Sequence, residues 1–217
     1  MRIKICGLTH LDDARYAAEL GADALGFVFV PGSPRFIEPQ AAAAIIAQLP
    51  PLVTAVGVFA DALPEAVERA LRDCGLGMVQ LQGDEPLEIC RRLGPGVLKA
   101  IHVRDRASLA RMRRYVGAVR AFVLDSRSGD QLGGTGRTFD WQLAIEAKAF
   151  GPIVLAGGLT PENVALALRQ VRPLGVDVSS GVEARVGRKD RDKMRRFIAA
   201  ARAAAREQEM HGSAQTA

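Results

Sequence analysis

Ala156-Gly157-Gly158-Leu159-Thr160-Pro161, followed by Asp177-Val178-Ser179-Ser180-Gly181-Val182-Glu183, is the stretch whose reading decides the fold. Each half closes a short apolar run. Ile153-Val154-Leu155 leads into the first and Gly175-Val176 into the second. Glycine admits a close backbone approach because no Cβ intervenes. Exposed N–H groups in such turns, and at helix starts, attract anions. Two glycine turns after two successive strands, late in a chain of alternating strands and helices, match the phosphate grip that a (β/α)8 barrel builds after its seventh and eighth strands. The pattern predicts a barrel and a phosphorylated ligand.

Working outward, apolar runs alternate with amphipathic stretches along the whole chain. Strands are expected at 3–6, 24–29, 54–59, 78–81, 97–102, 121–124, 153–155 and 176–178. Helices are expected at 11–20, 39–48, 64–74, 86–93, 106–115, 140–149, 161–171 and 190–206. Helix-start chemistry recurs: Thr9 or His10 precedes Asp12-Asp13, and Thr160-Pro161-Glu162 offers a cap, a first-turn proline and an early acid. Eight units fit the 217 residues. Such alternation means a parallel sheet covered by helices, and eight units favour closure over an open doubly wound sheet. The expected architecture is a single-domain α/β (β/α)8 TIM barrel over residues 1–207, with a flexible C-terminal tail at 208–217. Gly133-Gly134-Thr135-Gly136 does not open a G-x-G-x-x-G turn between a strand and a helix, so a dinucleotide loop is not expected there.

Composition narrows the functional classes. The chain is 48% hydrophobic, which suits a domain with a sizeable core. It has no apolar run of about 18 residues, so no membrane partner is expected. The opening Met1-Arg2-Ile3-Lys4-Ile5-Cys6 reads as a strand and not as a signal peptide. Cys6, Cys74 and Cys90 form no zinc spacing, and a cytoplasmic setting is expected. The net charge of +5 invites a nucleic-acid reading. Much of the excess, including Arg188, Lys189, Lys193 and Arg202, is expected on the solvated face of a terminal helix. Only 5% of residues are aromatic and no recognition motif stands out, so no nucleic-acid partner is expected.

In a barrel, functional residues lie at or just after the C-terminal ends of strands. That filter leaves Cys6, Arg35, Gln82, His102, Asp125, Gly157, Gly158, Asp177, Ser179, Ser180 and Gly181. Period-2 alternation puts Ile3 and Ile5 on one face of the first strand, and Lys4 and Cys6 on the other. Cys6 at the mouth is either a small buried hydrophobe or, as a thiolate, a base. Asp125 shares its face with Ala121 and Val123, the smaller inward set. It is a candidate acid or a turn cap. Arg35, after Ser33-Pro34, forks onto carboxylates or phosphates if it is not simply surface. Closure would bring Lys4 and Asp177 together and solve the burial problem of both. Asp177 is then structural, or it also touches substrate. The histidines form no metal-ligand spacing, and no metal or cofactor is expected.

Together these residues resemble the phosphoribosylanthranilate isomerase family of tryptophan biosynthesis. The likeness runs through Lys4-Ile5-Cys6-Gly7, Ser33-Pro34-Arg35-Phe36, Gln80-Leu81-Gln82-Gly83, Gly133-Gly134-Thr135-Gly136 and Asp177-Val178-Ser179-Ser180-Gly181-Val182-Glu183. The resemblance implies an Amadori rearrangement of a phosphoribosyl substrate. It implies Cys6 as general base, Asp125 as general acid and Arg35 as the holder of the anthranilate carboxylate. Phosphate then falls to the turns at Gly157, Gly158, Ser180 and Gly181. The reaction needs one acid and one base and no cofactor. The oligomeric state stays open. Two positions depart from the family pattern: Gln82 stands where many members have His, and Gly32 where many have Lys.

Overall fold

The computed structural model describes residues 1–126 and 139–214. Eight parallel strands close into one barrel in chain order. They are β1 (Arg2–Ile5), β2 (Ala24–Val28), β3 (Thr54–Phe59), β4 (Met78–Leu81), β5 (Val97–His102), β6 (Ala121–Asp125), β7 (Ile153–Leu155) and β8 (Gly175–Val178). Closure is made by β1 against β8, with Lys4 opposite Asp177. That pairing settles the choice between barrel and open sheet. Around the strands stand α1 (Leu11–Glu19), α2 (Pro39–Ile46), α3 (Pro64–Cys74), α4 (Leu87–Leu93), α5 (Arg106–Ala110), α6 (Trp141–Ala147), α7 (Val164–Val171) and α8 (Arg191–Ala214).

Strand alternation makes two apolar layers. Ile3, Ile5, Leu25, Phe27, Val79 and Leu81 face outward and join the helices in the main core, with Val67, Leu168 and Phe197. Val56, Leu98, Ala100, Ala121 and Val123 fill the barrel interior. Cys6 packs with Val28 and Val58 in a third, smaller cluster. Helix ends follow local chemistry. α3 opens on Pro64 and stops at Gly75, which takes the left-handed conformation at φ 67°. α5 opens on a capping box between Asp105 and Ser108.

Three expectations change. α7 begins at Val164, not at Pro161, because Asn163 ties the preceding turn. Its Oδ1 accepts from Thr160 N–H at 2.8 Å and its Nδ2 donates to Gly158 O at 2.9 Å. α8, expected at 190–206, runs from Arg191 through Ala214. Beyond the alanine-rich run, Gln208 Nε2 donates to Leu168 O at 2.6 Å and ties the helix to α7. A short antiparallel hairpin, β9 (Glu183–Arg185) and β10 (Arg188–Lys189), follows β8. Lys189 therefore lies on a buried strand and not on a solvated helix face. Gly133-Gly134-Thr135-Gly136 lies outside the described residues.

Candidate active site

The chemistry gathers at the C-terminal ends of the strands. Barrel order puts β7 and β8 between β6 and β1. The two glycine turns therefore fill the arc between Asp125, at the end of β6, and Cys6, just past β1. An anion held on that arc would present its remainder to both side chains.

Cys6 points inward and is buried. Its room comes from the neighbouring strand: a Cβ on Gly26 would lie 2.6 Å from its Sγ. Below it, Lys4 Nζ meets Asp177 Oδ2 at 2.8 Å with both groups buried. Burial pushes the Cys6 thiol above its ordinary value, the Lys4 ammonium pulls it back, and Asp177 adds to the rise. Burial works against the Lys4 ammonium, yet Asp177 and Cys6 hold its pKa above the ordinary lysine value. Asp177 keeps a second oxygen, Oδ1, buried and without a hydrogen-bond partner among the described residues. The expected meeting of Lys4 and Asp177 is thus in place.

Arg35 reaches the mouth across Gly7. A Cβ on Gly7 would fall 2.6 Å from Arg35 Cδ, and the glycine itself sits at φ +74°. The guanidinium is not a loose surface group. Its Nε and Nη2 donate to the two oxygens of Glu183, both at 2.8 Å. Lys189 Nζ donates to Glu183 Oε1 at 3.0 Å and to Ser179 O at 3.1 Å. Glu183 thereby holds the Arg35 plane fixed, and Nη1 has no hydrogen-bond partner among the described residues. Around Cys6 three cations, Lys4, Arg35 and Lys189, face two carboxylates, Asp177 and Glu183, a balance that favours an anionic ligand. The sequence reading did not pick out Glu183 and Lys189 as a pair. The signal was present in Val186-Gly187, a two-residue turn ending in glycine between short segments.

Across the mouth, Asp125 stands in register with His102 on β5. Gln82 Nε2 donates to Asp125 Oδ2 over a long 3.4 Å. The glycine turns are built by contact with each other. A Cβ on Gly181 would lie 1.9 Å from Leu159 O. One on Gly157 would lie 2.2 Å from Ser126 N, directly after Asp125. Gly157 and Gly158 both take positive φ, at 76° and 67°. The N–H groups of Gly157, Gly158, Ser180 and Gly181 donate to no group among the described residues. A cavity of about 810 Å3 lies on the opposite face, lined by residues such as Leu52, Met78 and Arg120. It sits at the N-terminal ends of the strands, where barrels keep stability and not catalysis.

The fold and this mouth define a class: a (β/α)8-barrel enzyme with an anion-ready pair of turns flanked by titratable side chains. Residues 3–200 match the family model described as N-(5'phosphoribosyl)anthranilate (PRA) isomerase. The chain belongs to that family. An N-(5'-phosphoribosyl)anthranilate isomerase of Geobacter sp. (strain M21) is 53% identical over 201 residues, 93% of this chain and 98% of that one. That of Geobacter sulfurreducens is 52% identical, over 91% and 97%. Among solved structures, the Thermotoga maritima phosphoribosyl anthranilate isomerase superposes with a TM-score of 0.88 at 43% identity, covering 94% of this chain and 99% of that one. Another phosphoribosyl anthranilate isomerase, 42% identical with a TM-score of 0.84 over the same shares, was solved in complex with reduced 1-(o-carboxyphenylamino)-1-deoxyribulose 5-phosphate.

Proposed function

We infer that the chain acts as an N-(5'-phosphoribosyl)anthranilate isomerase in tryptophan biosynthesis. It converts the aminoaldose into 1-(2-carboxyphenylamino)-1-deoxyribulose 5-phosphate by an Amadori rearrangement. The observation that carries the assignment of roles is the arc itself: an inward thiol on one side, an inward carboxyl on the other, and two anion-ready turns between them.

In this reading the phosphate sits on the N–H groups of Gly157, Gly158, Ser180 and Gly181. Arg35 offers Nη1 to the anthranilate carboxylate, its plane held by Glu183. Asp125 gives a proton to the ribose ring oxygen. The C1–O bond breaks as the anilino nitrogen lone pair forms the C1=N bond. The Cys6 thiolate then removes the proton from C2, the enolamine forms, and it tautomerises to the ketone. Asp177, with Oδ1 unsatisfied among the described residues, is within the same wall and suits a sugar hydroxyl. The three cysteines are free and buried, which fits a reducing cytoplasm. No helix among the described residues is long and apolar enough to cross a membrane.

The test is a pair of single variants followed by the fluorescence of freshly made phosphoribosylanthranilate. Cys6→Ser and Asp125→Asn should each lower kcat by ~10²-fold or more while the fold, read by circular dichroism, is kept. Near-parent turnover in either folded variant removes that residue from its role.

A further inference from the structure

The mouth contains one polar chain that the steps above leave unused. Alternation along β4 turns Val79 and Leu81 outward, so Gln80 and the following Gln82 face the barrel axis. Gln80 is only 4% exposed. Its Nε2 donates to Gln82 Oε1 at 2.8 Å, and Gln82 Nε2 donates in turn to Asp125 Oδ2 at 3.4 Å. The Gln82 backbone is pinned on both sides. Its N–H donates to Phe59 O at 2.7 Å, and its carbonyl meets His102 Nε2 at 3.3 Å. Packing alone does not explain an amide in this place, because a buried amide costs free energy unless it is bonded.

A glutamine carries a donor and an acceptor at the same end. In this orientation the chain suits an ionised Asp125, which accepts. Rotating both amides reverses it. Gln82 Oε1 then accepts from a protonated Asp125, and Gln82 Nε2 donates to Gln80 Oε1. In the first orientation that oxygen is buried and has no partner among the described residues. One orientation fits the carboxylate and the other fits the acid.

Resting on the assignment of Asp125 as the general acid, we propose that Gln82, oriented by Gln80 from inside the barrel, is a positioning residue that holds the Asp125 carboxyl in place both before and after it gives up its proton. The link differs from a bond to a fixed donor such as a lysine. A fixed donor serves only the carboxylate and would depress the protonated form that the ring opening needs.

Four variants test it through full pH profiles of kcat and KM. Gln82→Met should lower kcat by about tenfold with KM nearly unchanged, because the carboxyl loses its fixed position. Gln80→Met should lower kcat in the same way. The double variant should be no worse than Gln82→Met alone, since both residues act through one chain. Gln82→Glu sets a second carboxyl against Asp125, so the alkaline limb of kcat should move up by about one pH unit or more. A purely structural role would lower stability and leave kcat of folded Gln82→Met near the parent value. Multiplying effects in the double variant, or an unmoved limb in Gln82→Glu, overturns the proposal. If Gln80→Met does not fold, the kcat and KM of Gln82→Met decide. If Asp125→Asn keeps parent turnover, it is the acid assignment that fails. If Asp125→Asn is inactive and the glutamine variants behave as the parent, only this proposal fails.

Discussion

Cys6 stands between two opposing influences. Its burial against Gly26, Val28 and Val58 favours the neutral thiol, while the Lys4 ammonium favours the thiolate. Burial wins, so the pKa of the thiol is raised. The sign gives a measurable consequence. In the substrate-free chain the thiolate fraction at neutral pH is smaller than for an ordinary cysteine, whose pKa is ~8.5. Alkylation of Cys6 by iodoacetamide, located by peptide mass spectrometry, should climb about tenfold per pH unit through neutrality and continue to climb above that ordinary value. A plateau below pH 8 would contradict the raised pKa. Gly26 matters for the same reason. Any side chain there displaces the sulfur, so Gly26→Ala should cut turnover more than it cuts substrate affinity.

At the scale of elements, the hairpin of β9 and β10 carries the Arg35 site. Burial alone would raise the Glu183 carboxyl. Arg35 and then Lys189 override it and hold the carboxyl below the usual glutamate range. A depressed carboxyl stabilises the fold above its unfolded pKa, and that contribution is lost as pH falls through the folded value. Arg35→Ala removes the larger of the two cationic influences. The variant should therefore lose its folded circular-dichroism signal at a higher pH than the parent when titrated from pH 7 to 3. Its kcat/KM should also fall by ~10–100-fold, as expected for a lost charge-assisted fork of ~1.5–3 kcal/mol. Equal acid midpoints in parent and variant would show that Glu183 does not depend on Arg35.

At the scale of the molecule, the barrel is closed through a buried ion pair. Lys4 and Asp177 face each other across the β1–β8 seam, bonded at 2.8 Å. Breaking a buried pair leaves an uncompensated charge, at a cost of ~3–5 kcal/mol. Lys4→Met should lose about that much in urea unfolding, whereas Lys4→Met combined with Asp177→Leu should recover most of it. The recovered double variant should still be poor in turnover, because Cys6 has lost its neighbouring ammonium. Full activity in the double variant would make the pair purely structural.

The sequence by itself determined the barrel. Strand positions 54–59, 78–81, 97–102 and 153–155 coincide with β3, β4, β5 and β7, because short apolar runs between turn residues leave little choice. It also determined which side chains face inward, since period-2 alternation is a local property: Cys6 and Asp125 follow from their strands alone. Only the tertiary structure decided who meets whom. Glu183 and Arg35 are 148 positions apart, and nothing local in either segment names the other. The same holds for the fit of Gly181 against Leu159, of Gly26 against Cys6, and for the chain from Gln80 through Gln82 to Asp125. Those contacts depend on strand register around a closed sheet, which is fixed by the sum of many weak pairings and not by any one stretch of residues.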